Sequence, residues 1–254
     1  TGVQTCALPI YVTRLWERGL RKASLPVAYS TGFSPRPKLS FGLALPMAAE
    51  SVAEYVDIEL AVDTAAAGPL DDIGRRLADA LPDGFTVLAV AEKLQGQVSL
   101  QEDVVACDWE LSLAGADEAT ARAAVTATLA AATLPLERER KGERRTDDVR
   151  PAIEDLRVLG PAELADGSSG VVLGLRLATV GRGLRPSELV GVVFPELGDP
   201  TDVVRRLVRT EQWIERDGAR RELLPLPAAV ADRDRLLHCR HPAGSGPTRR
   251  FLGR

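Results

Sequence analysis

The 254-residue chain contains no asparagine, two histidines, and four lysines against 28 arginines. That imbalance reads as the coding bias of a GC-rich genome, so the arginine count by itself is no evidence of an anion-binding function. The three cysteines, Cys6, Cys107 and Cys239, stand far apart without paired spacing, which supports neither a disulfide framework nor a zinc site. A reducing cytoplasm is the expected location. No apolar run approaches the roughly 20 residues needed to cross a bilayer, so no membrane partner is expected. The net charge of −4 excludes a global basic field, and any nucleic-acid contact must come from local clustering. What is present, 45% apolar and 27% charged residues, is ordinary for a soluble globular chain able to bury a core.

The first stretch, Thr1 to Ile10, does not continue the pattern that follows and reads as translated sequencing-adapter DNA, a non-native segment set aside from functional reasoning. A genuine disordered arm is the alternative. Patterning begins at Val12, where Val12, Leu15, Trp16 and Leu20 recur at three and four residues and predict an amphipathic helix to about Ala23. Arg14, Arg18, Arg21 and Lys22 lie elsewhere on it. Short strands are expected at 26–29 and 39–45, with a proline loop between them. In residues 53–60 Val56, Ile58 and Leu60 alternate with Tyr55, Asp57 and Glu59, the pattern of a strand with one buried face. A helix at 70–81 and a strand at 85–91 complete this half.

The second half reads as strand 108–114, helix 117–132, strand 134–139, an arginine-rich loop, strand 170–178, helix 186–193 and strand 203–216. That order is βαββαβ, the ferredoxin-like arrangement. The expected fold is therefore α+β, with two ferredoxin-like halves at 11–97 and 104–225, the first lacking its opening strand, and a flexible tail at 226–254.

Three groups of residues are candidate binding elements. In the first, Tyr29, Ser30, Gly32, Phe33, Ser34, Arg36, Lys38 and Ser40 surround Pro35 and Pro37. Glycine permits positive φ, proline removes the entropy of ordering a loop, cations grip phosphate, and aromatics stack on bases. The competing reading is a rigid turn whose Tyr29 and Phe33 pack into the core. In the second, Lys141, Arg144, Arg145 and Arg150 could contact a phosphate backbone, or could be a solvated hairpin tip balanced by Glu143, Asp147 and Asp148. In the third, Arg209, Glu211 and Trp213 fall two apart on a strand and so are expected on one face, with core packing of Trp213 as the competing reading. His238, Cys239 and His241 are metal ligands by type, but a tail cannot preorganise a site. Asp71 and Asp72 open a helix and suit its dipole. No catalytic residue, metal or cofactor is expected.

The run from Arg21 to Phe41, followed by Ala53-Glu-Tyr-Val-Asp-Ile-Glu-Leu60, resembles the DUF2344 domain, a radical SAM-associated protein family. Arg144-Arg-Thr-Asp-Asp-Val-Arg-Pro151 and Arg209-Thr-Glu-Gln-Trp213 fit it too, so the resemblance covers about residues 11–225. It implies a partner, because members are fused to a radical SAM protein or encoded beside one, often near an RNase E/G gene. Members usually open with a strand and a Ser-His-x-Asp segment that has no counterpart here. They commonly carry histidine between the loop prolines, where this chain has Arg36. A radical SAM enzyme needs closely spaced thiolates, typically Cys-x3-Cys-x2-Cys, to hold its cluster, and this chain has none.

The resemblance and the residues together lead to the expectation of a non-catalytic accessory protein that binds tRNA or rRNA and presents it to a separately encoded radical SAM enzyme. A pure protein docking module is the alternative, favoured by the modest net charge. An RNA-processing enzyme is a third, since paired ferredoxin-like domains also serve some CRISPR endoribonucleases. The absence of histidine outside the tail argues against histidine-based cleavage.

Overall fold

The computed structural model describes residues 9–62, 67–93, 98–140, 142–181, 183–224 and 249–253. The chain is mixed α+β and divides into two compact units, one of residues up to Asp103 together with those from Glu222 onward, the other Val104–Arg221.

The first unit opens with α1 (Pro9–Lys22). Trp16, Leu20 and the following Ala23 are buried in one cluster with Val56, Ile73 and Leu77. Gly19 weakens helix propensity but packs closely, since a Cβ there would come within 2.8 Å of Leu81 Cδ2 and the Leu81 side chain would have to shift. The strands are β1 (Leu39–Phe41), β2 (Glu50–Ser51), β3 (Glu54–Ile58) and, after α2 (Leu70–Ala80), β4 (Phe85–Val87). They are shorter than the alternation predicts. The expected strand at 26–29 is reduced to isolated bridges, Val27 with Leu60 and Tyr29 with Pro37, since Pro26, Pro35 and Pro37 have no N–H to extend a ladder. β1 and β3 are antiparallel, with Ser40 opposite Asp57. A last strand, β12 (Arg249–Gly253), runs parallel to both β3 and β4 and lies between them. The expected tail therefore ends in a strand, whereas residues 225–248, including His238, Cys239 and His241, lie outside the described residues.

Between the units' main strands, α3 (Leu100–Asp103) leads into the second unit, which begins with β5 (Val104–Ala114). There follow α4 (Glu118–Ala130), β6 (Pro135–Arg140), β7 (Glu143–Asp148), β8 (Ile153–Glu163), β9 (Ser169–Ala178), α5 (Pro186–Val193), α6 (Pro200–Val203), β10 (Val204–Arg216) and β11 (Ala219–Glu222). Neighbouring strands run in the order β11-β10-β5-β9-β8. Asp117 caps α4 by accepting from the Thr120 amide at 2.7 Å. Trp109, Leu111 and Leu113 on β5 stand opposite Leu175, Leu173 and Val171 on β9, and all six are buried.

Five strands are absent from the sequence prediction: β2, β7, β8, β11 and β12. The segment 134–139, expected as the second strand of the sheet, pairs instead with β7 as a separate two-stranded hairpin, and the sheet takes β8 in its place. The sequence hides β8 because bulges between Ile153 and Asp155 and between Val158 and Gly160 break its alternation, and Pro161 punctuates it.

Candidate functional site

The proline loop closes as a hairpin. The Tyr29 to Pro37 bridge is backed by Ser30 N donating to Arg36 O at 2.9 Å, Lys38 N donating to Ala28 O at 2.8 Å, and Arg36 N donating to Ser30 Oγ at 3.1 Å. Residues Tyr29 through Arg36 are all exposed. Gly32, at φ +136°, sits in a conformation that other residues avoid. Phe33 at the tip is fully exposed and Tyr29 is half exposed, so neither fills the core as the competing reading requires. Lys38 and Ser40 belong to the base of the loop, where Lys38 Nζ donates to Glu59 Oε1 at 2.7 Å. Asp57, opposite Ser40, is bonded by Lys93 Nζ at 2.9 Å while its other carboxylate oxygen is buried without a hydrogen-bond partner. Among the described residues, Arg36 is thus the loop cation without a carboxylate partner.

The arginine loop is not one patch. Directly opposed residues of an antiparallel pair share a face and neighbours alternate. Arg145 stands opposite Arg138, while the next residue, Arg144, stands opposite Glu139 on the other face. Both are exposed. Lys141 lies outside the described residues. Arg150 is a structural pin: Nη1 donates to Ile153 O and Nη2 to Leu129 O, each at 3.1 Å. Asp148 accepts from the Leu134 and Arg150 amides, and these two bonds hold its carboxyl below the usual range.

Arg209 does not share a face with Glu211 and Trp213, which corrects the expectation from their spacing. A bulge at Thr210 pairs Arg209 with Trp109 but Glu211 with Asp108, adjacent residues on opposite sides of β5. Arg209 is buried over the Trp109 ring, 5.3 Å from its centre. Trp213 lies under Arg176 at 4.4 Å, and Arg176 grips Asp108 through Nε and Nη2 at 2.6 and 2.8 Å. That carboxylate pushes the Arg176 guanidinium up from its ordinary pKa. The residues missed by sequence reasoning, Asp108 and Arg176, are spaced 68 apart and become a pair only through the β5 to β9 register.

The surviving candidate is therefore a hairpin-closed loop that carries Tyr29, Ser30, Gly32, Phe33, Ser34 and Arg36 together, while Arg144 and Arg145 belong to the other unit. Its residues fall inside the span, 11–186, that matches the DUF2344 model, described as an uncharacterized protein conserved in bacteria. The chain belongs to the DUF2344 family. No curated protein and no solved structure matches it. Among the described residues no group of three or more His, Cys, Asp or Glu is placed to hold a metal ion, and no helix is long and apolar enough to cross a membrane.

Proposed function

We propose that this chain is a non-catalytic accessory protein that docks a separately encoded radical SAM enzyme through the proline loop and presents RNA to it, in a setting linked to RNase E/G. The observation that carries the docking role is Phe33, held fully in solvent at the tip of a loop closed by a bridge, two prolines and an internal hydroxyl contact. A monomer gains nothing from an aromatic there. A partner that buried it would gain about 1.5–3 kcal/mol, at little cost in ordering a loop already rigid.

A finer reading of the fold goes with this proposal, namely two ferredoxin-like halves. In the second unit the order β10-β5-β9-β8, with antiparallel neighbours, supports it. In the first, β12 occupies the position between β3 and β4 that an opening strand would take, but runs parallel to both, where an opening strand would run antiparallel.

A second reading, in which the loop itself takes RNA, is favoured by unpaired Arg36 beside Tyr29 and Phe33. One titration separates the two. The purified chain and its Phe33→Ala variant are titrated against the radical SAM protein encoded beside it, and in parallel against total tRNA. Loss of enzyme affinity by about 10-fold or more follows from the burial energy above. Unchanged enzyme affinity refutes docking through Phe33, and loss confined to tRNA favours the second reading.

A further inference from the structure

We infer that the exposed face of α1 is a phosphate-backbone contact for RNA, made by Arg14, Arg18 and Arg21. The three are spaced four and three apart, which on an α-helix places them within an arc of about 60° and along about 10.5 Å of axis. Trp16 and Leu20 are buried on the far side of the same helix, whereas all three arginines are exposed. None of them has a carboxylate partner among the described residues.

Arg36, Arg144 and Arg145 are also exposed without a carboxylate partner among the described residues, but they do not form a row on one face, and six other surface arginines are paired. Arg75 pairs with Asp72, Arg122 with Glu118, Arg157 with Asp155, Arg205 with Asp166, Arg220 with Glu154 and Arg221 with Asp217. Coding bias explains the number of arginines but not why the row on α1 is left unneutralised. Glu17, within one turn of Arg14 and of Arg21, makes no ion pair with either. Arg21, in the last turn, favours the helix dipole, but Arg14 and Arg18 lie outside that turn and, as like charges four apart, oppose the helix slightly. A row of like charges on a straight, rigid rod complements a chain of phosphates. An anionic membrane is the poorer fit, because the apolar residues that would insert, Trp16 and Leu20, are committed to the core.

The inference rests on the RNA-presenting reading and locates its RNA contact. The test is retention of total tRNA by the full chain between about 50 and 200 mM salt, where log affinity falls with log salt in proportion to the phosphates neutralised. An Arg14→Gln/Arg18→Gln/Arg21→Gln variant is compared with Arg75→Gln/Arg122→Gln, which removes only paired arginines. Three lost phosphate contacts lower the slope by about 2–3 and the low-salt affinity by at least about 10-fold, and the paired control leaves both near the unaltered chain. Replacement of the same three by lysine keeps the slope, since charge is retained. An unaltered slope in the glutamine variant overturns the α1 contact while leaving RNA presentation standing. No retention of tRNA by the unaltered chain overturns both. Loss of binding to anionic vesicles, with tRNA retention unchanged, assigns the row to a lipid surface and overturns the inference.

Discussion

Replacing Arg138 should release the β6–β7 hairpin without unfolding the rest of its unit. The guanidinium donates to both oxygens of Glu188, at 3.1 and 2.7 Å, and to Gly183 O at 3.1 Å, and it stands 3.5 Å from Asp147 Oδ2. Its side chain is 10% exposed, so these bonds form largely away from water, while Glu188 and Asp147 keep 25% and 28% exposure. A fully buried pair broken on one side costs about 3–5 kcal/mol, and an exposed one about 0–1. Partners a quarter exposed fall between, and about 2 kcal/mol is expected for Arg138→Met, which keeps the aliphatic bulk. An isolated two-stranded hairpin is marginal in water, so most of that loss should appear as local opening. Native-state hydrogen exchange is the suitable assay: amides of β6 and β7 should exchange about 30-fold faster, with β5 and β9 little changed. A change under about 3-fold, or an equal loss of protection in β9, would refute the argument that Arg138 anchors the hairpin to α5.

Two further outcomes follow from local geometry. Ala48 sits at φ 61°, in a turn where Ala49 N donates to Pro46 O at 3.2 Å. Ala48→Gly relieves left-handed strain that outweighs the added freedom of the unfolded chain, and should raise stability by about 0.5–1 kcal/mol in urea titration. A lower midpoint would contradict the strain. Asp148 has a folded pKa depressed by the Leu134 and Arg150 amides. Its contribution is complete above the unfolded carboxylate pKa of about 3.9 and is lost as pH falls through the lower folded value. The hairpin base should therefore loosen only in acid, seen as a shift of the Arg150 amide resonance, and Asp148→Asn should remove that pH dependence.

The elements with unbroken periodicity were readable from sequence. α1, α2 and α5 appear within a few residues of their predicted ends, and β5 is longer than predicted because its first residues, Val104 to Cys107, do not alternate cleanly. Part of what the sequence concealed has one physical origin, the β-bulge. An extra residue shifts every later side chain to the opposite face, so β8 lost its alternation and Arg209 was separated from Glu211 and Trp213. The proline loop was readable for the opposite reason, since glycine and proline fix a turn locally, independently of any distant register.

The arginines show where local reading stops. A guanidinium seen in sequence is a phosphate ligand, a structural pin or half of an ion pair, and which one it becomes depends on what the fold places within 4 Å. Arg150 is satisfied by carbonyls of Leu129 and Ile153, and Arg176 by Asp108 across a strand pair. Arg209 is buried over Trp109. Arg150 and Arg209 were among the binding candidates read from sequence and Arg176 was not, and each is occupied in holding its own unit together. Among the described residues, the exposed cations without a carboxylate partner include Arg36 on the proline loop and Arg14, Arg18 and Arg21 on α1 in the first unit, and Arg144 and Arg145 in the second. If RNA is bound through the α1 row, its salt dependence should follow Arg14, Arg18 and Arg21 and be indifferent to Arg150, a distinction that counting arginines could not have drawn.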